Sequence, residues 1–169
     1  MGFYLNSKKP YLLFQEDIHS AYFVDKSQIL QYLIPAVELA ENFPEKQKTE
    51  LGKSYRYICI TRPRRFGKTV MANMISSYFS RENDSSEIFN RLKAASLKGF
   101  RDHLNRHNVI HIMLNEMPRR CRSYEEYIGR IETRLLEDLK RAFPDVPIRE
   151  ADALWDAFNS IIEFGSGEK

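Results

Sequence analysis

The sequence predicts an α/β layered domain with a parallel sheet, and three observations predict it. An apolar run over residues 55–61 leads into a basic loop closed by Gly67-Lys68-Thr69, and an apolar-periodic stretch follows at once. A second apolar run, Val-Ile-His-Ile-Met-Leu-Asn, occupies residues 109–115. Around these runs, apolar residues recur at helical spacing behind capping signals. Strands alternating with helices are the pattern of a parallel sheet covered on its faces.

In chain order, residues 1–24 read as irregular or short-stranded, with Tyr22, Phe23 and Val24 an apolar lead. Asp25 has the form of an N-cap with Gln28 as its box partner, and Ile29, Leu30, Leu33 and Ile34 share one face. Pro35 is expected to break or kink that helix, with a second short helix running to about Asn42. Residues 43–54 are polar and read as a surface loop. The lead-in therefore covers residues 1–54 and the α/β core 55–169.

The first strand is expected at residues 55–61 and contains Cys59, which reads as a small buried residue. After the loop, Met71, Met74, Ile75 and Tyr78 recur at helical spacing. Asp84 with Glu87 predicts a capping box before a helix whose apolar face is Ile88, Phe89 and Leu92. Residues 109–115 read as a strand buried on both faces. Ser123 with Glu126 predicts a further box, opening a long helix through Tyr127, Ile128, Ile131, Leu135 and Leu139 that ends near Pro144. Leu154, Phe158, Ile161 and Ile162 mark a last helix, closed by Gly165 and Gly167.

Strand, loop and helix in this order form the layout of a phosphate-binding P-loop. Phe66, Gly67, Lys68, Thr69 and Val70 lie where backbone N–H groups and a helix N-terminus face a polyphosphate. Lys68 is placed to neutralise charge between the β- and γ-phosphates, and the Thr69 hydroxyl to ligate Mg²⁺. These two are the candidate catalytic residues, and Thr69 the candidate metal ligand. Arg64 and Arg65 read equally as phosphate clamps or as solvated loop charges. Arg62 stands where the usual G-x-x-x-x-G-K-[ST] pattern has its first Gly, and Pro63 removes one donor, so the upstream half of the cradle is poorer in N–H groups. A positive φ at Arg62 would cost about 1–2 kcal/mol, and its pre-proline position favours an extended approach instead.

Bulk properties set limits. The chain has 169 residues and is 43% hydrophobic, enough for one domain with a core. Its 26 basic and 23 acidic side chains leave a formal charge of +3, too mild to argue for nucleic acid or a membrane surface. The two cysteines form no C-x-x-C pair, no apolar run approaches the length of a membrane span, and no signal-peptide h-region opens the chain. The cytoplasm is the expected compartment. His103 and His107 are spaced i, i+4 without a third ligand at zinc spacing. Arg119, Arg120 and Arg122 read as a basic turn that is solvated or touches nucleic acid.

Two strands make a marginal sheet, and a P-loop nucleotidase also needs an apolar strand ending in an acidic residue, the Walker B Asp. No segment qualifies; the nearest candidate runs Leu114-Asn115-Glu116-Met117-Pro118. The expectation is an incomplete layered domain, the N-terminal part of a larger one, with the Walker B strand absent.

Four places in the chain carry a resemblance. They are Met1-Gly2 with Tyr4-Leu5-Asn6, the run Tyr22-Phe23-Val24-Asp25-Lys26-Ser27, the loop Arg62-Pro63-Arg64-Arg65-Phe66-Gly67-Lys68-Thr69, and the capped stretch from Asp84 to Phe89. The chain resembles the bacterial predicted AAA-ATPase-like proteins, which pair a P-loop ATPase domain with a C-terminal region often related to PD-(D/E)xK nucleases. That family carries Arg at the first loop position. The resemblance implies ATP and Mg²⁺ as ligands and, through the remainder of such a protein, nucleic acid as a partner. It also implies a strand ending in I-D-E-x-D at about where this sequence stops, so the chain is expected to bind nucleotide without hydrolysing it. The alternative from the residues alone is a module that uses the basic loop to bind nucleic acid or a partner, without turnover.

Overall fold

A computed structural model describes residues 2–42, 57–114, 118 and 121–166. They fall into two compact units, one spanning residues 8–108 and the other joining residues up to 7 with those from 109 onward.

The predicted parallel sheet is absent among the described residues, which hold helices and two isolated bridges, Leu5 with Ile110 and Ser80 with His107. This overturns the α/β layered fold expected from the sequence. The physical reason lies in what a strand is. Its backbone groups need a neighbouring ladder, and residues 57–61 find none here. Tyr57 is 88% exposed and Cys59 is exposed too, against the buried reading of that run. Residues 109–114 pair with the N-terminal residues instead. Asn6 N–H donates to the Val109 carbonyl at 2.8 Å, Val109 N–H to Asn6 Oδ1 at 2.8 Å, and His111 N–H to the Tyr4 carbonyl at 3.0 Å. The polar loop at 43–54, the acidic candidate at 116, and Arg119 and Arg120 lie outside the described residues.

In the 8–108 unit, α1 (Lys9–Ile18) forms where an irregular lead was expected. Pro10 sits in its first turn, where the missing N–H costs nothing, and Phe14 is fully buried. A 3₁₀ turn (Ser27–Ile29) precedes α2 (Leu30–Asn42), which runs through Pro35 without ending. Pro35 and Gln31 are both exposed, so the carbonyl that Pro35 leaves unbonded faces water. Helix α3 (Lys68–Phe79) buries Met71, Met74 and Tyr78, the face its spacing predicts.

Beyond it, α4 (Ser86–Phe89) is a single turn. Asp84 accepts from the Ser86 backbone and hydroxyl, while Glu87 pairs with Arg91 at 2.6 Å, so the expected box does not form. A 3₁₀ turn (Lys93–Ser96) and α5 (Phe100–His103) complete the unit. Its core is an aromatic stack: Phe89 lies 5.6 Å from Phe14 and 5.3 Å from Tyr78, which lies 5.6 Å from Phe100. The buried Tyr78 hydroxyl is satisfied by the Phe100 carbonyl at 2.7 Å.

In the other unit, α6 (Tyr124–Ala142) begins with the Ser123 hydroxyl accepting from Glu126 N–H at 3.1 Å, half of the predicted box. Glu126 accepts from Arg122 N–H rather than closing the other half. Tyr127, Ile131, Leu135 and Leu139 are buried as the spacing predicts. Leu135 and Leu139 form a core with Leu5 and with Ala157 of α7 (Leu154–Ser166). The buried Asp138 carboxylate holds the N-terminal residues by accepting from Tyr4 N–H at 2.6 Å and Leu5 N–H at 3.1 Å.

Candidate functional site

The sequence places its site at the turn between residues 57–63 and α3. Residues 64–67 make a tight turn whose positive φ angles fall at Arg65 (66°) and Gly67 (73°), not at Arg62. Gly67 is the N-cap of α3, and its carbonyl accepts from Met71 N–H at 3.0 Å. The N–H groups of Lys68, Thr69 and Val70 therefore have no acceptor within the helix, and no described residue bonds them from outside.

The Lys68 side chain folds back over the loop. Its ammonium donates to the Arg62 carbonyl at 2.7 Å and to the Pro63 carbonyl at 3.2 Å, closing a ring around the turn. Lys68 therefore lies on the loop side of α3, beside the open amides. Thr69 is exposed, and its hydroxyl has no hydrogen-bond partner among the described residues. Arg64 and Arg65 are exposed and form no ion pair with any described residue. Phe66 is 57% exposed and Val70 half-buried.

A second lysine reaches the same turn. Lys26 donates from Nζ to the Phe66 carbonyl at 2.9 Å, across forty positions of sequence. A Cβ at Gly67 would stand 3.3 Å from that ammonium. The residues flanking Lys26 fix its approach. Asp25 Oδ1 accepts from Ser27 N–H and Oδ2 from Lys93 N–H, each at 2.8 Å, while the fully buried Ser27 hydroxyl accepts from Ala94 N–H at 2.9 Å. Partial burial pushes the Asp25 carboxyl upward, but the donors from Lys93 and Ser27 outweigh it and hold the group below the usual aspartate value.

Read from the sequence alone, Asp25 is a helix cap, and Lys26 stands in the run that carries the resemblance without a role of its own. The available signal is the uninterrupted Asp-Lys-Ser run: two short side chains that bond backbone N–H groups, flanking one long cation. The loop thus holds the Lys26 and Lys68 ammonium groups on its carbonyls, with the exposed Arg64 and Arg65 in the same turn and three amides open among the described residues, a positive field suited to a polyanion.

The other candidates do not join this site. His103 Nδ1 and His107 Nε2 are 2.9 Å apart with stacked rings, and His103 Nε2 lies 3.6 Å from Glu38 Oε1. Among the described residues, no group of three His, Cys, Asp or Glu side chains could hold a metal ion. No helix among them is long and apolar enough to cross a membrane.

No curated protein and no solved structure matches the chain significantly. A family model described as predicted AAA-ATPase matches residues 47–164, most of the chain and the whole of the loop. The chain belongs to the predicted AAA-ATPase family.

Proposed function

We propose that the chain is an ATP-binding module whose 62–69 loop holds the polyphosphate of Mg-ATP. One observation carries the reading. The amides of residues 68–70 stand open at the start of α3 while the Lys68 ammonium folds over the same turn onto the Arg62 and Pro63 carbonyls. Both carbonyl contacts are exposed and exchangeable, so an incoming phosphate can draw the ammonium off at little cost. Phe66, Gly67, Lys68, Thr69 and Val70 then contribute N–H groups, Lys68 and Lys26 contribute charge, and Arg64 and Arg65 stand close enough along the chain to clamp oxygens. Gly67 leaves room for a close approach.

Mg²⁺ fits as an ion that arrives with the nucleotide. Thr69 offers an accessible hydroxyl, and the described residues contain no preformed cage that would hold the ion alone. Mg²⁺ is ordinarily held in this way, by few protein oxygens together with phosphates and water. No described carboxylate is bonded to Thr69 or Lys68, and the proposal is accordingly binding without turnover by this chain.

Titration of the 169-residue chain with Mg-ATP tests this by calorimetry. Saturable binding that falls at least about tenfold in Lys68→Ala is expected, the loss of one charge-assisted contact. Unchanged affinity in that variant refutes the loop assignment. Arg64 and Arg65, which pair with no described residue, also suit a nucleic-acid backbone. If that is the ligand, Lys68→Ala leaves ATP binding absent in both proteins and weakens only a salt-sensitive affinity for DNA or RNA.

A further inference from the structure

Peptide geometry ties Lys26 to the amides of the loop. The carbonyl that its ammonium holds, on Phe66, belongs to the same peptide unit as the Gly67 N–H. In a trans peptide these two groups point in opposite directions, so holding the oxygen on the Lys26 side turns the N–H away from it. Gly67 has left-handed backbone, with φ 73° and ψ 31°, and Lys68 opens the helix. Left-handed backbone followed by helical backbone makes a turn in which successive N–H groups converge on an anion. The Gly67 N–H is thus the first of a row that continues through Lys68, Thr69 and Val70, and no described residue bonds it.

We propose that Lys26 is a positioning residue of the loop: it locks the Phe66–Gly67 peptide with its N–H on the side that receives the anion. The inference rests on the phosphate reading above and adds the residue that prepares the loop for it. Gly67 has no Cβ, so this peptide rotates at little steric cost. Once rotated, it would present the Phe66 oxygen to the incoming phosphate and replace a donor by a repelling acceptor. Lys68 does not restrain this peptide, because its ammonium bonds the Arg62 and Pro63 carbonyls earlier in the loop. A neutral, apolar side chain at position 26 leaves the rotation unopposed.

An exposed lysine can fix a distant peptide only from an anchored base, and the backbone around Lys26 is anchored. Its own carbonyl accepts from Ile29 N–H at 3.1 Å. Its two neighbours are tied to the 3₁₀ turn at Lys93–Ser96, Asp25 through Lys93 N–H and Ser27 through Ala94 N–H. From there the side chain reaches the loop along a cleft between α1 and α3, which Phe66 and Gly67 also line. The rotamer freedom lost in making one contact is then the main cost, because the backbone is already ordered.

The test combines calorimetry with Mg-ATP and amide NMR on the 169-residue chain, in the native sequence and in Lys26→Met, Lys26→Arg and Lys68→Ala. Lys26→Met is expected to weaken Mg-ATP at least about fivefold, by the same factor at about 0.05 M and about 0.5 M salt, because a direct bond to a carbonyl is little screened. Lys26→Arg keeps a cationic donor and should restore most of the affinity. Without ligand, the Gly67 amide resonance should move in Lys26→Met and return in Lys26→Arg. The amide of Gly99, the other described glycine with left-handed backbone, should stay in place and report an intact fold. Native affinity in Lys26→Met overturns the positioning role, and so does a loss that vanishes at the higher salt, which marks a bare charge. A Gly67 resonance that does not move overturns it as well. Each of these leaves the phosphate loop standing if Lys68→Ala loses Mg-ATP. Failure of the native chain to bind Mg-ATP overturns both readings.

Discussion

Gly67→Ala and Gly99→Ala form a matched pair that separates backbone strain from ligand approach. Both glycines adopt left-handed backbone, with φ of 73° and 74°. A non-glycine residue there costs about 1–2 kcal/mol, partly offset by about 0.4–1 kcal/mol because alanine also restricts the unfolded chain. The net loss is about 1 kcal/mol, which in a domain of this size lowers the Tm by roughly 2–4 °C. The surroundings then differ. At Gly67 the new methyl would meet only the Lys26 ammonium, at 3.3 Å and at the end of a flexible chain. At Gly99 it would meet Glu38 Oε1 at 2.7 Å and Ile34 Cγ2 at 3.0 Å, and Ile34 is almost fully buried. Gly99→Ala is therefore expected to be the more destabilising of the two in a thermal melt. Nucleotide affinity should fall in the opposite order. The Gly67 methyl occupies the face of the loop that a phosphate must approach and displaces Lys26, for a loss of about tenfold or more in Mg-ATP binding, whereas Gly99→Ala keeps native affinity. Calorimetry below both melting temperatures reads this directly. If the two variants lose affinity in proportion to their stability, the loop is a structural turn and the argument for phosphate approach fails.

Tyr78→Phe removes the hydroxyl that donates to the Phe100 carbonyl at 2.7 Å, but that carbonyl still accepts from Leu104 N–H at 3.2 Å, so a loss of only about 0.5–1.5 kcal/mol is expected in chemical denaturation. Asp138→Ala frees the Tyr4 and Leu5 amides, and should both lower stability by about 2–3 kcal/mol and speed amide exchange at those two positions. The depressed carboxyl of Asp25 has a definite sign: its contribution is present above the ordinary aspartate pKa and is lost as the pH falls through its lower folded value. Acid titration followed by Tm should therefore show a loss below about pH 4 that is reduced in Asp25→Ala, and an unchanged acid limb in that variant refutes the assignment. Incubation of the purified chain with Mg-ATP should yield no multiple turnovers of phosphate release; sustained release overturns the proposal of binding without hydrolysis.

Helices were legible where the signal is local. Met71, Met74 and Tyr78, and again Tyr127, Ile131, Leu135 and Leu139, repeat at helical spacing and end up buried on one face. The Ser123 cap is equally local, since donor and acceptor lie three residues apart. Helix α1 was missed because its only start signal is Pro10 and its apolar stripe is short. Pro35 was over-read: a proline is tolerated inside a helix when the carbonyl it orphans faces water. The loop's outline was visible, and Arg62 has no positive φ, in keeping with its pre-proline position. Positive φ falls instead at Arg65 and Gly67, in the tight turn itself.

Sequence alone determined the family, the start of a helix at Lys68, and the long amphipathic helices, since each is written within a few neighbouring residues. Tertiary structure decided the rest. It brought Lys26 to Phe66, set Asp138 beneath Tyr4 and Leu5, and opened a cleft between α1 and α3. Among the described residues it also left 57–61 and 109–114 without a sheet. A helix closes its hydrogen bonds within itself, so its sequence suffices to specify it. A strand, or a lysine acting forty residues away, depends on what the fold sets beside it.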